Sequence, residues 1–519
     1  MFASSPPVDL GADTDILGDL LKVWRDRQRM NIRRSVYHDG EQALKDFGIS
    51  LPPQMRGIRS ALGWVGKGVR ALTDRSQFEG FVSVNGADDP LGVDEIIWDN
   101  QFMTEFPAAT GSSAMHGCSF ITVTNGDLES GEPDVLMLAR SAESSAAIYD
   151  ARTRALRAFL SVVKVGDGKA GRTKDPLEMV LYTPEFVYII ERRPIGWKTT
   201  RIEHGMGETP AYQLVHDYEL RRPLGRSRIS RASMYFADAA LRTIVRSEVS
   251  AEFYSAPEYW LFGADVKNFI GNDRWSAVMG RIKAKDVDVV ADEKMPELHR
   301  FTGASPQPHT EQLRMFASQF ADEMDLDVRY ADSSNPSSAE AIFAAKESLI
   351  SNTGKANRLW GFGAVRAMNA AIRLRDNLDE DTDEMRTLRA RFTDPVLVSP
   401  TSRADAFSKF AANIPGFAES EVGLEYGGLT REQITRFQAE QRRNRNGDLT
   451  SRLRELAGQA ASEPADGALQ EAQVAKARSE ALGGYRRAGV EEQNAARLAG
   501  ITDPIEFIPG SPVTIRATE

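Results

Sequence analysis

Two glycine-rich segments have the spacing that most resembles a phosphate-binding loop. Gly166, Gly168 and Gly171 match the G-x-G-x-x-G pattern that holds a pyrophosphate at a helix N-terminus. The residues that follow, 172–176, predict no helix, so we interpret this segment as a hairpin turn. The second segment, 63–67, lacks the full spacing of an ATP-binding loop and lies within a predicted helix. The sequence therefore predicts no nucleotide cofactor.

Side chains that could bind a metal or act as a nucleophile are scattered. The six histidines follow no H-x-x-x-H or Cys/His spacing, so no zinc site is predicted. His116 and the single cysteine, Cys118, could share the face of a strand, but nothing nearby supplies an orienting third group, and packing is the favoured interpretation. The acidic run over 376–384 lacks the glycine and terminal glutamate of a calcium loop, which favours a solvated turn. We predict no catalytic residue, no metal and no cofactor.

Composition limits the class of protein further. The 519 residues carry a net charge of -10, which argues against a protein that grips the phosphate backbone through uncompensated Lys and Arg. The start of the chain shows neither a basic segment nor an apolar run, and no stretch approaches the roughly 18 apolar residues of a membrane span. We therefore expect a protein made and assembled in a soluble compartment, with no membrane partner.

Hydrophobic periodicity predicts an α+β fold that is mainly helical. A helix is predicted over Met55–Leu72, and short β-rich runs between about 119 and 222 predict an antiparallel sheet region. A helix ending at Pro257 and a second one over Thr310–Met324 flank a small α/β module, residues 257–308, in which a short helical piece is predicted around Trp275–Ile282.

A much longer helix is predicted to begin after Asn335-Pro336 and to persist to about Arg375, roughly 57 Å at 1.5 Å per residue. Gly354, Gly361 and Gly363 inside it predict a kink or a close contact with a neighbouring subunit. A strand over Phe392–Val398 and further helices between Ser402 and Leu456 follow. The composition of residues 1–14 and of the region after Gly458 predicts a mobile arm with nothing to pack and a weakly ordered tail.

The order of these elements, together with several local motifs, resembles the portal proteins of tailed bacteriophages, in particular their actinophage branch. The resemblance covers roughly residues 15–450, and it rests on the order of its motifs rather than on any one of them. The motifs are Tyr37-His38-Asp39-Gly40, Leu51-Pro52-Pro53-Gln54-Met55, a helix with Trp64, Phe78-Glu79-Gly80-Phe81, His204-Gly205-Met206-Gly207 with Pro210, Pro223 to Ile229, and Asn335 to Ile342. Gly63 stands before Trp64 where the family would have Asn.

This resemblance implies a portal fold and a ring, usually of twelve subunits, at one capsid vertex of the virion. It implies these divisions: a wing over 15–225, a first stem helix over 226–256, a clip over 257–308, a second stem helix over 309–326, a tunnel loop over 327–336, a spine helix and wing return over 337–400, and crown helices over 401–457, between the arm (1–14) and the tail (458–519). The implied partners are the terminase motor, head-completion and connector proteins, major capsid and scaffold proteins, and double-stranded DNA that passes through without sequence preference. The ring would be assembled in the host bacterial cytoplasm.

An acidic segment marks the part of the chain that the resemblance places at the channel. Residues 311–340 contain seven acidic and two basic residues, which gives a net charge of -5. The candidate channel-lining residues are Glu311, Asp322, Asp325, Asp327, Arg329, Tyr330 and Asp332. An acidic sleeve would let DNA slide with little adhesion, with Arg329 and Tyr330 as sparse contacts. The alternative is that these acids pair across subunit interfaces.

Two other classes of function remain open at this point. One is another viral structural protein, such as a capsid or scaffold component, which would form shells instead of one closed ring. The other is a cytoplasmic enzyme whose site is assembled from scattered residues, which would exist as a monomer or small oligomer. The sequence favours the portal interpretation, in which the protein is not an enzyme.

Overall fold

A computed structural model of the chain describes residues 8–43, 61–83, 89–166, 175–255, 258–262, 282–285, 297–301, 307–326, 339–396, 400–430, 433–444 and 467–501. The chain divides into two compact units, residues 1–397 and 398–519, and each is described by itself. The first unit combines helices with four small sheets, and the second is helical in its described residues. The prediction of an α+β fold that is mainly helical is confirmed.

The helices of the first unit are α1 (Thr14–His38), α2 (Trp64–Thr73), α3 (Val93–Asp99), α4 (Phe102–His116), α5 (Arg231–Ser255), α6 (Gln307–Glu323) and α7 (Ala339–Asp376). Its strands are β1 (Phe78–Ser83), β2 (Cys118–Asn125), β3 (Val135–Ser141), β4 (Ser145–Tyr149), β5 (Leu156–Val165), β6 (Pro176–Tyr182), β7 (Phe186–Arg192), β8 (Trp197–Glu203), β9 (Ala211–Val215), β10 (Glu258–Phe262), β11 (Ile282–Lys285), β12 (Glu297–Phe301) and β13 (Leu388–Phe392). Short 3-10 turns lie at Gly11–Asp13, Pro90–Gly92, Leu128–Ser130 and Met385–Thr387.

A five-stranded antiparallel sheet, in the order β4-β5-β6-β7-β8, packs one face against α1. Alternate residues of β5 to β7 supply that face, and Leu17, Leu20 and Trp24 of α1 cover it. Val8 and Leu10 are buried in the same cluster. The expectation that nothing packs before Asp15 is therefore wrong for these two side chains. The sequence did not reveal them because two apolar residues are too few to form a recognisable pattern.

The glycine-rich segment 166–171 begins at the turn between β5 and β6. These strands pair antiparallel up to Val165 opposite Pro176, and the Gly166 amide donates to the Asp175 carbonyl at 2.9 Å. The antiparallel pairing of the flanking strands confirms the hairpin, while residues 167–171 themselves lie outside the described residues. The other glycine segment differs from expectation in one respect: α2 begins at Trp64, with residues 61–63 non-helical, so Gly63 precedes the helix and does not lie inside it.

The long helix α7 runs through the main core of the first unit. It packs against β9, β13 and the three-stranded sheet β3-β2-β9. Trp360 is fully buried, and its indole Nε1 donates to the Ser113 hydroxyl at 3.0 Å. The helix covers 38 residues, as its apolar stripe predicts. β13 pairs with β1 and ends at Phe392, so the strand predicted over Phe392–Val398 lies earlier in the chain than expected.

Two of the three helix glycines lie at close contacts with the same chain. A Cβ at Gly363 would lie 2.4 Å from the Gln213 carbonyl oxygen of β9, and one at Gly361 would lie 3.1 Å from the Phe392 ring. A Cβ at Gly354 would meet nothing within 4 Å. The helix remains continuous through all three. The predicted close contact is real for Gly361 and Gly363, but its partner is the chain's own sheet.

The second unit contains α8 (Pro400–Asn413), a 3-10 turn (Phe417–Glu419), α9 (Glu421–Tyr426), a helix α10 over residues 433–444, α11 (Gly467–Arg487) and α12 (Glu492–Leu498). Phe407, Phe410, Phe417 and Tyr426 form a cluster of rings with centroids 5.2–6.1 Å apart. The region after Gly458, expected to be weakly ordered, contains α11 and α12, with Ala495 fully buried. Its few small apolar residues still provide one packed face.

Candidate channel-lining site

Helices α5 and α6 pack against each other as an antiparallel pair. The hydroxyl of Ser230, just before α5, donates to Glu323 at the end of α6, so the start of one helix lies beside the end of the other. Between them the chain forms the sheet β11-β10-β12, in which β10 pairs parallel with β11 and antiparallel with β12. The predicted helix around Trp275–Ile282 falls mostly outside the described residues, and Ile282 itself begins β11.

The predicted channel-lining residues fall into three groups. Glu311 and Asp322 lie on the exposed face of α6. Asp325 lies just after that helix with its side chain 22% exposed. The other four, Asp327, Arg329, Tyr330 and Asp332, lie outside the described residues. The structure therefore brings Glu311 and Asp322 onto one helix face and separates Asp325 from them.

Arg228, in the turn before α5, contacts both α2 and the residues that follow α6. Its Nε donates to the Gly68 carbonyl of α2 at 3.0 Å, and its Nη2 donates to the Met324 carbonyl. Its Nη1 lies 3.5 Å from the Asp325 carboxylate, and its side chain is only 7% exposed. Burial lowers the pKa of this guanidinium, while the charge of Asp325 raises it. A buried arginine with several acceptors holds its partners in one geometry.

Asp325 extends the same junction to the long helix. Its carboxylate accepts hydrogen bonds from the Ser348 hydroxyl and, at 2.9 Å, from the Asn352 amide of α7. The residue has a positive φ of 49°, an uncommon conformation that Asp tolerates better than most residues. The Asp325 carboxylate is therefore bound by groups of its own chain. These contacts hold in place the residue from which the following segment starts.

The junction opens into a cleft of about 510 Å³. Its walls include His216, Arg226 and, on α7, Lys355 and Arg358. The His216 Nδ1 lies 2.8 Å from the Arg226 carbonyl, and burial lowers the pKa of this imidazole. Sequence reasoning that followed apolar stripes missed Arg228, Lys355 and Arg358. The signal for the last two was present in the polar positions between the apolar ones of α7.

The turn that enters α5 requires a glycine. Gly225 has a φ of +75°, and a Cβ there would lie 2.3 Å from the His216 carbonyl oxygen and 2.5 Å from that of Gly117. Only glycine accepts both the left-handed conformation and this approach of two backbone segments. Gly225 thus fixes the direction in which the chain reaches Arg228 and α5.

The residues that could have acted as a thiol–imidazole pair do not form one. His116 ends α4 and Cys118 begins β2, so they do not share a strand as the sequence suggested. Burial raises the pKa of the Cys118 thiol to about 12 and lowers that of His116 to about 4. A protonated thiol beside a neutral imidazole is a poor nucleophile.

Other ligand-binding arrangements are also missing from the part of the chain that the structure describes. Among these residues no group of three or more His, Cys, Asp or Glu could hold a metal ion. In the acidic turn Asp376 pairs with Arg375, and Asp381 with Arg373 at 3.3 Å. None of the described helices is both long and apolar enough to cross a membrane.

Comparison with known proteins gives a consistent assignment. The family model described as phage portal protein, SPP1 Gp6-like, matches residues 25–447. A portal protein of Mycobacterium phage L5 is 24% identical over 447 residues, which cover 82% of this chain and 88% of the relative. A portal protein of Mycobacterium phage D29 is 25% identical over 459 residues, which cover 85% and 92%.

Among solved structures, a chain from the neck of a native GTA particle, computed with C12 symmetry, has a TM-score of 0.38 and 11% identity. That similarity covers 77% of this chain and 99% of the other. The assignment stands on the family match and on the two phage relatives. Members of this family are structural components of the virion and are not enzymes. The chain therefore belongs to the SPP1 Gp6-like family of phage portal proteins.

Proposed function

We propose that twelve copies of this chain form a closed ring at one capsid vertex, through which double-stranded DNA enters during packaging and leaves during ejection. The ring is assembled in the host bacterial cytoplasm and remains in the virion. The observation that carries this proposal is the family match over residues 25–447. A head-to-tail interface closes into a ring only when its rotation divides a full turn, which this fold must satisfy.

The helical pair α5 and α6 suits a stem, and the sheet β11-β10-β12 suits a clip. The chain leaves the pair at Ser255 and returns at Gln307, so the sheet is attached at the end of the pair opposite the Arg228 junction. A module at the tip of two helices is accessible to partners. We assign to it the docking of the terminase motor and then of the head-completion and connector proteins. The helices and sheets before α5 form the wing, which would face the capsid and scaffold proteins.

The clip assignment is tested by a replacement that its own sheet permits. Phe262 of β10 lies opposite Glu297 of β12, so a two-residue Asn-Gly turn can replace residues 263–296 and retain a hairpin. We expect ring-sized particles from this variant, with terminase and connector proteins no longer bound in a pull-down. Retained binding of both partners would show that docking occurs elsewhere.

We assign the channel lining to the segment after Asp325, with Asp327 and Asp332 as acids, and Arg329 and Tyr330 as sparse DNA contacts. The Arg228 junction supports this assignment because it fixes the position from which the segment departs. Acids repeated around a ring give the duplex little to adhere to, and screening over about 8 Å keeps the repulsion from blocking entry. Asp325 is not part of this lining, since its carboxylate is held by Arg228 and α7.

Replacing Asp327 and Asp332 with Lys tests this lining. The double variant should assemble rings but package DNA more slowly, with the larger deficit at low salt, because each added cation can hold a phosphate. The control is Asp15→Lys with Asp19→Lys, two exposed positions of α1, which makes the same total change of charge elsewhere. Packaging at the normal rate across ionic strengths, in rings that assemble normally, would remove these residues from the lining.

A further inference from the structure

The face of α6 opposite the core carries acids around a methionine. Glu311, Met315, Ser318 and Asp322 recur at spacings of four, three and four residues, which place them on one stripe. Met315 is 48% exposed, although methionine is usually buried. Among the described residues, Asp322 makes no ion pair, and Glu311 accepts only from Gln307, one turn away on the same helix. The stripe is thus an acidic face with an apolar centre that the described part of the chain leaves exposed.

Helix α7 carries a stripe of opposite character and the same length. Lys355, Arg358, Phe362 and Arg366 recur at three, four and four residues, and Ser351 lies one turn before them. Phe362 is 69% exposed, while the opposite face of the helix at Trp360 and Ala364 is fully buried. Within the described part of the chain, neither Lys355 nor Arg358 has a carboxylate within 4.0 Å. This stripe is cationic with an apolar member.

The two stripes match when the helices run antiparallel. In that register Asp322 faces Lys355, Ser318 faces Arg358, Met315 faces Phe362 and Glu311 faces Arg366. Each stripe covers 11 residues, about 16.5 Å at 1.5 Å per residue. The register places Asp322 beside Lys355 and Glu311 beside Arg366, whose Nη2 also lies 3.6 Å from Glu208 of its own chain. It also places the exposed methionine sulfur against the exposed aromatic ring, a favourable contact.

We propose that the acidic stripe of α6 in one subunit docks on the cationic stripe of α7 in the next copy of this chain. The proposal rests on the ring proposed above, because head-to-tail rings join two different surfaces of identical subunits. It decides between the two roles that the sequence left open for Glu311 and Asp322: these acids pair across the subunit interface, and the DNA-facing role stays with the segment after Asp325. Lys355 and Arg358 also border the open cleft described above.

A cysteine pair tests the contact directly, since the single native cysteine, Cys118, is buried. The Met315→Cys, Phe362→Cys double variant should give, after mild oxidation of rings, a ladder of cross-linked multimers on a denaturing non-reducing gel. Met315→Cys with Ser351→Cys changes the same helices about 16.5 Å out of register and should give no ladder. The single variants control for other pairings. Rings of the first variant that stay uncross-linked, or an equal ladder from both pairs, would overturn the register.

Charge reversal tests the energetics of the same contact. Asp322→Lys and Lys355→Asp should each lower the fraction of chains in rings by about tenfold at dilute protein, because like charges then face each other at every interface. The combined variant should regain most of the loss. Equal assembly of the two single variants and the wild type would overturn the interface, and reduced DNA retention by intact Lys355→Asp rings would instead place this stripe in the channel. A wild-type chain that never forms rings would refute the proposed function and not this contact alone.

Discussion

At the scale of single residues, Arg228 is the side chain on which the geometry of the candidate site most depends. It is buried, and it binds the carbonyls of Gly68 and Met324 and the carboxylate of Asp325. Removing one partner of a buried ion pair leaves the other charge without compensation, which costs more than the pair contributes. The role of Arg228 is therefore to hold α2, the end of α6 and the start of the following segment together.

Replacing Arg228 with Met should destabilise the first unit by about 3 kcal/mol, since it leaves two carbonyls without their donor and removes the cation that faces Asp325. The melting temperature measured by calorimetry should fall clearly. Arg221→Met is the matched control, because the Arg221 side chain is 77% exposed and its pair with Glu219 lies on the surface. That control should change stability by no more than about 0.5 kcal/mol. Equal melting of the two variants would show that Arg228 is not an anchor.

At the scale of elements, the long helix α7 connects the sheets of the first unit with the end of the α5–α6 pair. One face packs on β9 and β13, its N-terminal half meets Asp325 through Ser348 and Asn352, and its outer face carries the cationic stripe. Close packing against β9 is possible because Gly363 has no Cβ. Because α7 contacts both the sheet and Asp325, the position of the sheet determines where the proposed lining segment starts.

The glycines of α7 give a graded test of this packing. Gly363→Ala should destabilise by about 2 kcal/mol, because its Cβ would lie 2.4 Å from a backbone oxygen that cannot move aside. Gly354→Ala should instead stabilise by about 0.5–1 kcal/mol, since the site is open and alanine favours the helix. Thermal unfolding of both variants checks the signs. Shifts in the same direction would contradict the assigned contacts.

The elements that the sequence predicts well are those with one strong periodicity. The apolar stripe from Ile342 to Ile372 predicts α7 almost to its ends, and short β-rich runs predict the sheet region that contains β2 to β9. The edge strand β8 gives the weakest signal, because most of its side chains are exposed and polar. Arg228 and Asp325 could not be paired from sequence, because their contact depends on how α6 returns alongside α5. The burial of Val8 and Leu10 also depends on contacts between distant parts of the chain, because the folded sheet supplies their packing partners.

At the scale of the whole molecule, the distribution of charge distinguishes the proposed passage of DNA from the proposed assembly of subunits. The net charge of -10 fits a protein that DNA passes without strong binding. In the proposed register, the outward-facing cations of α7 meet a stripe of equal length on α6 that carries two acids, which favours assembly over nucleic-acid binding as their role. Family membership over residues 25–447 and the tip position of the β10–β12 sheet support the same division between assembly, docking and passage.

The most direct test of the central claim is the form of the purified full-length chain in electron microscopy, combined with its mass in solution. We predict closed rings with one axial opening and a mass of about 690 kDa, which is twelve copies of the 57.3 kDa chain. The rings should appear without any capsid protein. A chain that remains a monomer or dimer at every concentration, or that forms closed shells, would contradict the claim that this protein is the channel subunit of a portal.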